Sequence, residues 1–75
     1  MVRNIIAKDQ TYNNKARMTT RATCYEEEGC SYEPPFYTVD VEQWFDGCEY
    51  SGRFSTFEFD DKQKALDYMN ERLGR

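Results

Sequence analysis

Phe36-Tyr-Thr-Val-Asp-Val-Glu-Gln-Trp-Phe45 decides the fold. Tyr37, Val39, Val41 and Phe45 share one parity, and Thr38, Asp40 and Glu42 the other. Alternation with period two marks a half-buried β-strand. Pro34 and Pro35 set its start, because proline lacks the N–H that a paired strand needs. Beyond it, Asp46-Gly47 is the strongest short hairpin signal in the chain, so a return strand is expected from about Cys48 to Phe59. That strand is irregular: Tyr50 and Phe54 have one parity, Phe57 and Phe59 the other. Either a bulge at Ser51-Gly52 or Ser55-Thr56 reconciles them, or a longer loop runs through Tyr50-Ser51-Gly52 and the strand begins at Arg53.

A helix follows, expected over Asp61 to Leu73. Asp60 is placed to cap it, with Gln63 three residues on, in the manner of a capping box. Asp61 adds negative charge near the positive end of the helix dipole. Ala65, Leu66, Met69 and Leu73 form one apolar stripe, with Lys64, Asp67 and Glu71 opposite. Arg72 stands in the last turn and Gly74 where a C-terminal cap belongs.

Upstream, Met18 to Tyr25 reads as a further strand ended by Glu26-Glu27-Glu28-Gly29. Val2 to Ala7 reads as a short strand or an ordered arm, and Thr11 to Lys15, with Asn13-Asn14, as loop. The fold expected is α+β: one domain over residues 1–75, with 1–17 an arm or short edge strand. A small antiparallel sheet of three to four strands carries one C-terminal helix on one face. A lone hairpin is marginal in water, so the third strand or the helix is required.

Charge is unevenly distributed. Residues 1–23 carry five bases and one acid, residues 24–61 eleven acids and one base, and residues 62–75 four bases and two acids. Ten of the twelve aromatic residues lie in the acidic middle, which argues for a folded chain, since disordered segments are poor in aromatics. No apolar run approaches the roughly 20 residues of a membrane span, and the three-residue apolar run near the N-terminus falls short of a secretory signal. A cytoplasmic protein without membrane contact is expected.

Histidine is absent, which removes the commonest general acid–base and the commonest metal ligand. Cys24, Cys30 and Cys48 are an odd number without an export signal and read as thiols, although an oxidising compartment would allow a Cys24–Cys30 bridge. Their spacing matches no zinc knuckle. The glycines are isolated and build no phosphate loop. The acid pair Asp60-Asp61 reads as helix capping and the Glu26–Glu28 run as a solvated loop. No enzyme, metal site or cofactor is expected. The basic N-terminal third could grip phosphates, but the whole chain is acidic, with a sequence pI near 4.7, and shows no nucleic-acid reading motif. Direct nucleic-acid binding is not expected.

The second face of the Phe36–Phe45 strand carries Phe36, Thr38, Asp40, Glu42 and Trp44. Either the N-terminal segment folds over it, or it stays open as a surface where aromatic anchors sit beside carboxylates. In the second case the partner-binding residues are Phe36, Asp40, Glu42 and Trp44, joined by Glu49 and Tyr50 of the following loop. Such a surface suits a non-enzymatic protein-binding module that docks on a basic patch of another protein. The alternative is an assembly protein that forms a homodimer or larger homo-oligomer through a sheet edge or the Trp44 face.

The order of acidic hairpin, Phe57-Glu58-Phe59-Asp60-Asp61 and then Lys64-Ala65-Leu66-Asp67-Tyr68 resembles the end of many small phage-encoded proteins, among them host-takeover factors and anti-CRISPR-type inhibitors. The likeness covers roughly the last forty residues and transfers no functional residue. It implies an inhibitor that binds and blocks a host protein in the cytoplasm of the host cell; if the basic patch on which the acidic surface docks normally holds DNA or RNA, that surface would compete by mimicking phosphate charge.

Overall fold

The computed structural model describes residues 2–29, 34–48 and 52–75. Among these residues the chain runs β1 (Val2–Asn13), β2 (Met18–Glu28), β3 (Phe36–Phe45), β4 (Arg53–Phe59) and α1 (Lys62–Arg72). The strands form one antiparallel sheet in sequence order, so β1 and β4 are its edges. The α+β architecture, the Phe36–Phe45 strand and the helix on one face match the sequence reading.

The register separates two faces. Ala22 stands opposite Val41, and Cys24 lies between Ala7 and Val39. These positions face α1, where Ala65, Met69 and Leu73 meet Ala22, Cys24, Val39 and Val41 in the buried core. Small residues on both sides let the helix lie close to the sheet. Each fully buried Val or Met contributes about 1.5–3 kcal/mol, so a core this small holds a correspondingly thin margin. Phe57 and Phe59 of β4 rest on Tyr68, with ring centroids 4.8 and 5.3 Å away.

Four local expectations are corrected. The helix N-cap is Asp61, whose side chain accepts from the Gln63 N–H at 3.1 Å; the exposed Asp60 instead faces Lys64 at 3.7 Å. Thr11 to Asn13 belong to β1, because Thr11 and Tyr12 stand opposite Thr20 and Thr19. The turn is confined to residues 14–17, where Asn13 Oδ1 accepts the N–H groups of Lys15 and Ala16. The strand at Met18 continues past Tyr25 to Glu28, since β1 and β3 both pair with that end. Asp46-Gly47 does form a turn, with Gly47 at φ +77° and Cys48 N–H donating to Phe45 O, but it does not join paired strands directly. Ladder pairing resumes only at Gln43–Arg53, which is the longer-loop alternative. β4 is regular throughout, and the sheet's register shift lies in β1, between Ile5 and Ala7.

At its other end the helix closes with a Schellman motif. Gly74, at φ +80°, donates to Glu71 O, and Arg75 donates to Asn70 O. Arg75 also forms an ion pair with Asp9 of β1, which ties the helix end to the edge strand.

Candidate functional site

The face of the sheet turned away from α1 is covered by no other element among the described residues. Reading across the strands, its rows are Arg3–Glu27–Phe36, Ile5–Tyr25–Thr38–Glu58, Lys8–Thr23–Asp40–Thr56, Gln10–Arg21–Glu42–Phe54 and Tyr12–Thr19–Trp44. The structure therefore brings Phe36, Asp40, Glu42 and Trp44 onto one face, beside Phe54, which is 63% exposed. Glu49 and Tyr50 lie outside the described residues. The N-terminal segment does not fold over this face; it lengthens the sheet as β1.

The carboxylates are held from within the sheet. Arg3 reaches from the edge strand to Glu27, Nε to Oε1 at 3.1 Å, and to Asp40, Nη2 to Oδ2 at 3.6 Å. It also donates to Thr38 Oγ1 at 3.3 Å and lies 3.8 Å from the centre of the Tyr25 ring. Thr56 donates to the other Asp40 oxygen at 2.9 Å. Asp40 is consequently buried on a face that no layer covers. Arg21 bonds Glu42 at 2.6 Å, and its guanidinium lies 5.0 Å from the Trp44 ring. The planar guanidinium suits both contacts, since it forks to carboxylates and stacks on aromatic rings.

Arg3 and Arg21 were absent from the residues singled out by sequence. Arg21 was readable, because it shares parity with Thr23 and Tyr25, opposite to Ala22 and Cys24. Arg3 was not. The irregularity at Ile5–Ala7 switches the parity of β1, so Arg3 and Ile5 share the open face with Lys8, Gln10 and Tyr12.

Two tyrosines bond carboxylates, one in the turn after β3 and one across the β2–β3 pair. Tyr12 donates to Asp46 Oδ2 at 2.5 Å, and that bond pushes its phenol above the ordinary range. Tyr37, on the helix side, is pushed up by burial and by its bond to Glu26 at 3.2 Å. Burial likewise raises the Cys24 thiol, which keeps it in the unreactive protonated form.

Trp44 is half-buried and lines a cleft of about 300 Å³ with Met18, Gln43, Phe45, Gly52 and Arg53. The larger cleft, about 480 Å³, opens on the helix side between Leu73 and the β1–β2 turn, and of the aromatic residues it touches only Tyr12. The open sheet face is the more specific feature, because its side chains converge while the larger cleft is a broad gap. Among the described residues no group of three or more Cys, Asp or Glu side chains could hold a metal ion. No described helix is long and apolar enough to cross a membrane.

Global dimensions agree with an uncovered face. The accessible surface is 5470 Å², against about 4,900 Å² for a compact monomer of this mass. The radius of gyration is 13.7 Å, against about 11 Å for a compact chain of this length. A single sheet with one short helix leaves one side without a second layer. No family model matches the chain, and neither a curated protein nor a solved structure matches it.

Proposed function

We propose that this chain is a non-enzymatic protein-binding module that works through the uncovered face of its sheet. The observation that supports it is the placement of Trp44, Phe36 and Phe54 on a face without a covering layer, on a molecule with about 600 Å² more surface than a compact monomer. The partner proposed is a protein with a basic surface. Asp40 and Glu42 are already paired with Arg3 and Arg21, so their role is to shape a rigid floor. Steering falls to Glu28 and Glu58, which are exposed at one end of the sheet. Charge of this kind raises encounter rates, while buried aromatic contacts hold the complex. In the form implied by the C-terminal resemblance, the module is a phage-type inhibitor that blocks a host protein, and its acidic surface suits a basic patch that otherwise holds nucleic acid.

The test is capture from nuclease-treated host lysate by the immobilised chain, beside Trp44→Ala and Phe54→Ala. A stoichiometric partner that is lost in the variants, and that weakens as salt rises, is the expected result. A partner retained equally by both variants would overturn the role of this face. Recovery that disappears with nuclease would assign the binding to nucleic acid instead.

A further inference from the structure

The two edges of the sheet are built differently. β1 carries a register irregularity at Ile5–Ala7 and the charged residues Arg3, Lys8 and Asp9. Irregularities and charges are the devices by which natural sheets blunt an edge against unwanted pairing. β4 has neither. Its register against β3 is unbroken, Phe54-Ser55-Thr56-Phe57 is uncharged, and five of its seven residues are exposed. Phe57 is 37% exposed despite its contact with Tyr68. Among the described residues no strand pairs with the far side of β4, which leaves a row of backbone donors and acceptors there.

Charge along β4 selects the occupant. Arg53 stands at its start; Glu58, Asp60 and Asp61 stand at and just beyond its end. We infer that the free edge of β4 is a self-association site, pairing antiparallel with β4 of a second copy. That arrangement sets each Arg53 beside the acidic end of the other strand. Parallel pairing would place Arg53 beside Arg53 and acid beside acid.

A two-fold axis perpendicular to the sheet gives the antiparallel pair and keeps both helices on one side. Pairing centred on Thr56 sets Arg53 opposite Phe59 and Ser55 opposite Phe57. The two Phe57 rings are then diagonal neighbours, about 7–8 Å apart at the backbone and within aromatic reach. A seven-residue strand is only about 23 Å long, so the interface belongs to the small, weak class. Trp44, on β3, lies one strand in from this edge and separates the two readings, whereas Phe54 belongs to both surfaces.

Sedimentation equilibrium from about 10 μM to about 1 mM spans the range where an interface of that class fills. The expected result is a mass that rises from 9.0 kDa towards twice that value. Amide exchange read by NMR should show protection growing with concentration in β4 and not in β1. Arg53→Glu should weaken association about tenfold by setting like charges together at the acidic end of the other strand, and Arg53→Lys should retain it. The position is exposed, and an unchanged circular dichroism spectrum verifies the fold. Trp44→Ala should leave self-association intact, which separates this result from the test of the open face. A strict monomer at the highest concentration, protection growing at β1, or a dimer indifferent to Arg53→Glu would each overturn the inference. Protection of β4 only when a different protein is added would assign the edge to a foreign strand.

Discussion

Replacing Arg3 with methionine should destabilise the fold by about 2 kcal/mol. The variant keeps the apolar stem but removes the guanidinium that meets Glu27, Asp40, Thr38 and Tyr25. Breaking a fully buried ion pair costs about 3–5 kcal/mol, mostly because a buried charge is left alone. Here the cost is smaller for two reasons. Asp40 keeps its bond from Thr56, and the Arg3 side chain is 44% exposed, so water screens part of the interaction. A hydrogen bond to a charged group, about 1.5–3 kcal/mol, is the closer guide. A chain of this length has roughly 4–11 kcal/mol of total stability, so the loss is a large fraction. The melting temperature should fall by roughly 8–16 °C. Urea unfolding followed by circular dichroism measures the change directly. A double-mutant cycle with Asp40→Asn isolates the pair and should return a coupling near 1 kcal/mol. Arg3→Lys should recover only part of the loss, since an ammonium can neither fork nor stack in the same way. A change below about 0.5 kcal/mol in Arg3→Met, typical of an indifferent surface position, would refute the account of a charge network in place of a second core.

Three further outcomes follow from the helix and its tether. Asp61→Ala should cost about 1 kcal/mol in urea unfolding as the loss of an N-cap, while Asp60→Ala should stay within a few tenths, as exposed helix pairs do. Gly74→Ala should cost about 1 kcal/mol, because an L side chain is strained at the positive φ of the Schellman cap. The Arg75 bond, aided by the Gln10 N–H, holds the Asp9 carboxyl below its usual range. A depressed folded-state value gives stability that is present above the unfolded value of 3.8 and is lost as pH falls through the folded value. An NMR titration should therefore show Asp9 ionising early, and Arg75→Ala should return it towards normal and flatten the acid limb of the stability curve.

The central strand and the helix were legible because each carries its own pattern. Tyr37, Val39 and Val41 alternate over enough residues to assign a face, and Ala65, Met69 and Leu73 repeat at helical spacing. β1 was harder to read, for a physical reason. It is an edge strand whose burial pattern is mostly exposed, so hydrophobicity imprints no clean alternation, and its irregularity reverses what parity there is. Its length is set by pairing with β2, a non-local condition that no window of local sequence contains. The choice between Asp60 and Asp61 as cap was equally beyond local reading. Two adjacent acids satisfy the same rule, and the path of the chain leaving Phe59 decides between them.

The open face shows why a dense acidic block need not be an acidic surface. By sequence, Asp40 and Glu42 lie among eleven acids and one base, a segment that holds too few cations of its own to neutralise them. In the sheet, β2 lays Arg21 beside Glu42, and β1 carries Arg3 across β2 to Asp40. Two of the five bases of the N-terminal third, Arg3 and Arg21, thereby supply counter-charge to Glu27, Asp40 and Glu42, and antiparallel pairing brings them together. A partner that approaches this face meets paired charges, which are costly to separate without replacement, and accessible aromatic surface, which is favourable to bury. On the proposed function, Trp44, Phe36 and Phe54 would determine affinity, and the exposed acids at the sheet's end would set the rate of encounter. Replacing Trp44 should shorten the lifetime of a complex, whereas replacing Glu58 should slow its formation and reduce its salt dependence.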